Sequence, residues 1–493
     1  MRRDRQLIKE AFKSLAIILL VMVASRYTKS VALFGVVLYG IWAAFSHKVG
    51  TTFFCYMLLN LCVLSNPFIL PKSGFIFTLA VRGGCFFIGL ALTMEGVRRA
   101  GRYRLPFGLL WAYLGVMMLS SATGWYPKVS YLKLIQFSVF LLSLSVGLQN
   151  LENCERDVWT MRKCMLGISL FVIGGSFLLW PFPQYSSLKA VAWYGDAALV
   201  DVQAQAVAEA GANLLCGSLF QSQALSAVDA CLTGWLICDM LFVEKRTTFF
   251  HLVLISLGVF ILALTRSRTG LFAFCVAVGM LITYLMPRIR LPIRVKARVQ
   301  HLILLGAVVL GAVMLIAELR DNTITKLVRK KDDLAADDRS LTEAVTSSRM
   351  GLIEKSTRDF KLNPLWGMGF QVEERHRYHI KGHTGGFFIF SASIEKGLLP
   401  VMVLGEGGLV GALVFASFLL VFYVVCTQRR LLITATLFAV FLGTNMGEAT
   451  FFSPGGPGGL EWLVSVAGGF AIDMILLNER RAVNRYSIHY LSR

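Results

Sequence analysis

The chain has 493 residues, of which 56% are hydrophobic and 16% charged, and its mean hydropathy is +0.64. This composition excludes an ordinary soluble domain and is typical of an integral membrane protein. The formal net charge of +20 does not indicate nucleic-acid binding, because the basic residues cluster between apolar segments. We therefore expect membrane lipids, and no nucleic acid, among the partners.

Apolar segments of membrane-spanning character recur along almost the whole chain. Their length and continuity predict helices, since the strands of a membrane barrel would alternate with period two. The predicted fold is an all-α integral membrane protein with about 12–14 transmembrane helices and one large outer loop. The segments are 15–27, 31–46, 51–70, 74–94, 107–121, 129–148, 164–182, 214–242, 249–264, 271–286, 302–319, 399–426, 431–445 and 462–477.

The basic clusters predict the orientation of these segments. Counting spans between the clusters places every cluster on one side of the membrane, which the positive-inside rule makes the cytoplasmic side, together with both termini. The expected organisation is residues 1–319 as helices with short loops, 320–398 as a large periplasmic loop, and 399–493 as the last three helices and a cytoplasmic tail.

The turn 264–270 carries Arg266 and Arg268 between two apolar segments, on the outer side. Arginine at a membrane boundary is costly unless it reaches water or holds an anion, and its planar fork suits a phosphate. The alternative is a basic turn that only anchors the two helices. A dibasic turn on the outer side runs against the positive-inside trend, which favours the anion contact.

Inside the outer loop, Ser347-Ser348-Arg349 predicts the start of a helix that ends before Asn363-Pro364. The glycine-bearing turn 364–370 then allows close backbone approach. Residues 375–383 combine three histidines with three cations, which fits a solvated basic loop, a patch facing a phosphate or acidic sugar, or, least favoured, a metal site. We predict no metal. The acidic residues of 332–338 are interpreted as solvated surface.

Several motifs of other enzyme classes are missing from the sequence. There is no GxxxxGK[ST], no GxGxxG after a strand and no HExxH. An ATP-driven pump and a membrane zinc protease therefore have no support, and no cofactor is predicted.

Three patches together resemble a known family. The patches are 264–270, with a threonine-x-serine-arginine-glycine character that aligns Arg268 with the family arginine; 349–369, an arginine-led helix followed by proline and a Gly-x-Gly turn; and 406–411, a Glu-x-Gly-x-x-Gly pattern. A weaker fourth patch is 218–225. The order of these patches, their spacing and their common position on the outer side resemble those of the O-antigen ligase and polysaccharide polymerase superfamily of bacterial inner-membrane proteins.

The resemblance implies a GT-C-type, metal-independent glycosyltransferase. It would take a glycan from a polyprenyl diphosphate and pass it to a hydroxyl of a lipid or glycan acceptor at the periplasmic face. Arg266 and Arg268 would then grip the diphosphate, with Arg349 closing from the loop, and Glu406 would support the site. Ligation to a lipid core and polymerisation of repeat units both remain open.

The sequence departs from the family in its catalytic base. The family places a His-Asn pair about nine residues before the glutamate of Glu-x-Gly-x-x-Gly, and this chain has no histidine there. His383, Glu395 and His379 are the available candidates, in that order. Lys396 could neutralise Glu395 as an ion pair instead. A transporter or flippase of lipid-linked glycan is the alternative function, although neither an inverted repeat nor a broken midplane helix is evident.

Overall fold

The computed structural model describes residues 2–71, 77–97, 107–124, 126–152, 154–182, 185, 215–265, 267–288, 353–371, 398–447 and 449–491. Helices dominate these ranges. The described residues contain no β-strand beyond an isolated bridge between Ser65 and Leu219. The predicted all-α membrane protein is confirmed.

The described helices follow the predicted apolar segments. Each predicted segment overlaps a helix except 302–319, which lies outside the described residues. Within the described ranges, six helices are long and apolar enough to cross a membrane, namely α6, α7, α8, α10, α11 and α13. The bounds are α1 (Arg2–Tyr27), α2 (Val31–Phe45), α3 (Val49–Leu64), α4 (Gly84–Val97), α5 (Gly108–Thr123), α6 (Pro127–Glu152), α7 (Glu155–Leu179), α8 (Ser222–Glu244), α9 (Phe249–Leu264), α10 (Arg268–Met280, continuing to Arg288), α11 (Leu399–Gln428), α12 (Leu432–Thr444) and α13 (Pro457–Arg481).

The connections between the helices gather at two opposite ends of the bundle. At one end, which we call the site end, Gly124 packs against Met368, Gly447 packs against Thr269, and the Leu399 amide donates to the Asn445 carbonyl at 3.0 Å. At the other, the basic end, α8 is followed by Lys245, which pairs with Glu479, and α11 is followed by Arg429 and Arg430.

A buried charge network ties three helices together at the basic end. Arg162 of α7 donates through Nε and Nη2 to the two oxygens of Asp239 at 2.7 and 2.8 Å, and through Nη2 to Glu244 at 2.6 Å. His251 of α9 lies 2.9 Å from Asp239 through Nε2. Buried charges are tolerated when they are paired in this way. Asp239 therefore has a structural explanation, on the end of the bundle opposite the candidate site.

Candidate functional site

Helix α11 is interrupted within the Glu-x-Gly-x-x-Gly pattern. Gly408 has φ +60° and ψ −161°, which is not a helical conformation. The carbonyls of Gly405 and Glu406 and the amides of Leu409 and Val410 consequently bond outside the helix. In a membrane such groups must find partners in the protein, because lipid offers none.

The partners come from residues 364–371, which we call the strap. Strap amides donate to carbonyls before the break in α11, and strap carbonyls accept from amides after it. The break and the strap thus complete each other's backbone hydrogen bonding. The four bonds are Met368 N to Gly405 O (3.0 Å), Gly369 N to Glu406 O (3.2 Å), Leu409 N to Pro364 O (2.8 Å) and Val410 N to Leu365 O (3.2 Å).

Two glycines make this close approach possible. Gly367 has φ +73°, and a Cβ atom there would lie 2.3 Å from the carbonyl carbon of Glu406. A Cβ atom on Gly408 would lie 2.4 Å from the carbonyl carbon of Leu365. A side chain at either position would therefore meet backbone on the facing segment. The close backbone approach predicted for the 364–370 turn is present, and its partner is α11.

Side chains of helices α5 and α6 form further hydrogen bonds with the backbone of the strap. Ser120 accepts from the Gly369 amide at 3.0 Å and donates to the Glu406 carbonyl at 2.6 Å, so its hydroxyl touches both the strap and α11. The remaining contacts are Phe370 N to Ser121 Oγ (3.2 Å), Ser130 Oγ to Phe370 O (3.0 Å) and Lys133 Nζ to Gln371 O (3.0 Å).

Glu406 lies at the break and is buried, with 1% of its surface exposed. Its carboxylate is within electrostatic range of the Tyr113 phenol of α5, which is also fully buried. Glu406 therefore faces the protein interior at an irregular point of the helix, rather than lipid. Its supporting role in the reaction stays a prediction.

The predicted arginine turn begins α10 at the site end. Ser267 is the N-cap residue, and its Oγ accepts from the Gly270 amide at 3.3 Å, so Arg268 is the first residue of the helix. A cation at a helix N-terminus adds to the positive end of the helix dipole, which disfavours it there unless an anion is bound nearby. This position favours the anion-contact interpretation of Arg268 over simple anchoring.

The segment 445–456 between α12 and α13, which we call the cap, contacts both candidate regions. Gly447 lies against Thr269, next to Arg268, and the ring of Phe452 packs edge-on to Phe370 of the strap, with centroids 5.4 Å apart. The cap therefore lies between the arginine turn and the strap.

Glu461 of α13 is fully buried and links the end of α12 to the cap. Its Oε2 accepts from the Thr444 hydroxyl at 2.8 Å and from the Thr450 hydroxyl at 3.4 Å. These two bonds connect α13 to α12 and to the cap.

Glu461→Gln is expected to destabilise the protein much less than Glu461→Ala, because the glutamine amide fills nearly the same volume and its oxygen can still accept from Thr444. Glu461→Ala removes that acceptor and leaves a void, which should cost about 1–3 kcal/mol. Thermal unfolding of both variants in detergent compares them. Equal destabilisation of the two would contradict this role of Glu461.

The other predicted site residues lie outside the described part of the chain. They are Arg266, Arg349, His383, Glu395 and Lys396, and of Arg268 only the backbone is described. The helix predicted to follow Arg349 is described from residue 353 and ends at 362, before Asn363 as predicted. The weak 218–225 patch begins at the site end, where Asn66 donates to the carbonyls of Gly217 and Leu219 at 3.2 Å.

Sequence reasoning missed the serines that hold the strap. Ser120, Ser121 and Ser130 carry no spacing signal that separates them from other serines at helix ends. Lys133 was recognisable only as an ionisable residue within an apolar segment, a feature that often marks function.

A model of a known protein family matches the part of the chain that contains the candidate site. Residues 251–416 match the family model described as O-Antigen ligase. This segment, about a third of the chain, runs from α9 into α11 and contains the arginine turn, the strap and the break. No curated protein matches the chain. Over this segment the chain is similar to the O-antigen ligase family.

Proposed function

We propose that this protein is a bacterial inner-membrane glycosyltransferase that moves a glycan from a polyprenyl diphosphate carrier to an acceptor hydroxyl at the periplasmic face. The observation that carries the proposal is the seating of the strap on the broken α11. This contact joins the strap to α11, two separate parts of the matched segment 251–416, at the end of the bundle where Arg268 begins α10.

The predicted site residues have the chemistry that such a transfer needs. The acceptor oxygen attacks the anomeric carbon, the bond from that carbon to the diphosphate oxygen breaks, and the diphosphate keeps the electron pair. Arg266, Arg268 and Arg349 would stabilise the charge that develops on the leaving group. His383, or Glu395, would take the proton of the acceptor hydroxyl. In this scheme the reaction uses side chains alone, without a metal or an organic cofactor.

The state of the broken helix favours a transferase over a transporter. In many transporters the free ends of a discontinuous helix point at the substrate and bind it. Here the amides of Leu409 and Val410 are already bonded to the strap, as are the carbonyls of Gly405 and Glu406. The break in α11 is therefore closed by the chain's own backbone and offers no such site.

Turnover in detergent tests the proposal. The purified full-length chain, given a polyprenyl-diphosphate-linked glycan and candidate acceptors, should release polyprenyl diphosphate and form a longer or ligated glycan. Detergent micelles hold no ion gradient, so a transporter would leave the donor unchanged. Chemically intact donor in the presence of a broad acceptor panel, combined with donor uptake in proteoliposomes, would overturn the proposal in favour of transport.

A further inference from the structure

Two glutamines at the start of α8 form a hydrogen-bonded pair at the site end. Gln221 directly precedes the helix in an extended conformation, and Gln223 lies in its first turn. Gln221 Nε2 donates to Gln223 Oε1 at 2.9 Å, and both side chains are half-buried. These two residues, which we call the glutamine pair, belong to the 218–225 patch, to which the proposed transfer assigns no role.

The glutamine pair lies beside the start of α10. Helices α8 and α10 both run from the site end to the basic end, and a Cβ atom on Gly270 of α10 would lie 2.7 Å from the Cβ atom of Ser226 of α8. Gln223 and Ser267 each lie three residues, or about 4.5 Å, nearer the site end than these contacting residues. Gln223 is therefore level with the N-cap residue of α10, on the helix face that Ser226 turns toward α10.

The backbone that carries the glutamine pair is held by the end of α3 and the residues after it. Asn66 Nδ2 donates to the carbonyls of Gly217 and Leu219, both at 3.2 Å. The amide of Phe220, the residue before the pair, donates to the Leu64 carbonyl at 2.8 Å. The backbone is thus fixed before a ligand binds, which lowers the entropy that binding must cost.

The glutamine pair offers one hydrogen-bond donor and one acceptor to a ligand. Within the described residues, neither Gln221 Oε1 nor Gln223 Nε2 has a hydrogen-bond partner. Turning both amides over would exchange their roles and would still leave one carbonyl oxygen and one amino group. A sugar hydroxyl both donates and accepts, whereas an ionised phosphate oxygen only accepts. The uncharged combination of donor and acceptor therefore suits a sugar better than an anion.

We infer that the glutamine pair binds the sugar that is bonded directly to the diphosphate of the donor. The inference rests on the proposed function, in which the diphosphate is held at the start of α10, where a helix N-terminus favours an anion. The first sugar is covalently joined to that anion, so its hydroxyls lie beside the start of α10 as well. Gln223 is at the same level on the neighbouring helix, which makes the pair a specificity determinant for the donor.

Equilibrium binding to the purified full-length chain in detergent tests the inference. The probes are sugar-free polyprenyl diphosphate and polyprenyl diphosphates that each carry one hexose or one N-acetylhexosamine. The wild type should bind at least one sugar-bearing lipid more tightly than the sugar-free lipid. Gln223→Leu and Gln221→Leu should each lower the affinity for that lipid about three- to tenfold, from loss of a neutral hydrogen bond, and leave the sugar-free lipid unaffected.

Gln428→Leu is the matched control, because Gln428 is an exposed glutamine that ends α11 at the basic end. It should bind every probe as the wild type does. Thermal unfolding shows which variants are folded, and the two leucine variants of the pair serve as independent tests if one of them is not.

Three results would overturn the inference. They are equal losses of affinity for sugar-bearing and sugar-free lipid, which would place the diphosphate on the pair; unchanged affinity for both in the folded variants; and a wild type that does not distinguish the two kinds of lipid. Binding requires no turnover, so the proposed function fails separately. Sugar-selective binding that depends on the pair, in a chain that releases no polyprenyl diphosphate, would refute the transferase and leave the sugar contact standing.

Discussion

Replacing Arg268 by lysine is expected to lower transferase turnover about ten- to a hundredfold. Lysine keeps the charge and loses the planar fork that binds a diphosphate through two parallel hydrogen bonds. A charge-assisted contact of this kind is worth about 1.5–3 kcal/mol. The measurement is steady-state kinetics of purified Arg268→Lys with lipid-linked donor, at matched expression and thermal stability.

Arg288→Lys is the matched control for this experiment. Arg288 ends the continuation of α10 at the basic end, where it is exposed and donates to the Tyr284 carbonyl at 2.9 Å. It should tolerate lysine because it binds no substrate in the proposed scheme. Wild-type turnover of Arg268→Lys would mean that the arginine turn anchors the helices and does not grip a diphosphate.

Replacing His383 by alanine is expected to reduce kcat about a hundredfold or more, the usual contribution of a general base, while donor binding persists. An imidazole with its ordinary pKa of about 6.5 accepts a proton only when neutral. Wild-type activity should therefore fall below about pH 6, as the fraction of neutral imidazole declines. A pH–rate profile and donor-binding measurements on wild type and His383→Ala test both statements.

A control variant and a variant of the second candidate show which residue is the base. His47→Ala, which alters a histidine paired with Glu95 in the connection between α2 and α3, should keep full activity. Glu395→Gln should also remain active if His383 is the base. An active His383→Ala together with an inactive Glu395→Gln would assign the base to Glu395. Activity of both would mean that arginine-assisted departure of the diphosphate proceeds without either residue.

The sequence alone determined the class of the fold and the position of the described helices. Segments such as 129–148 and 399–426 are long, apolar and without strand alternation, and each proved to be helical. The glycines of the strap also indicated where backbone would come close. These features are local, since they depend on the composition and conformational preferences of neighbouring residues.

The tertiary structure decided which of these features meet. No local pattern shows that the strap completes the hydrogen bonds of a broken α11, because Met368 and Gly405 are far apart in sequence. The same holds for Ser120, whose hydroxyl joins strap and helix across some 250–290 residues of chain, a relation that only packing of α5 against α11 creates. Buried backbone groups must be bonded in a membrane, but which distant residue supplies the bond is set by how the helices pack.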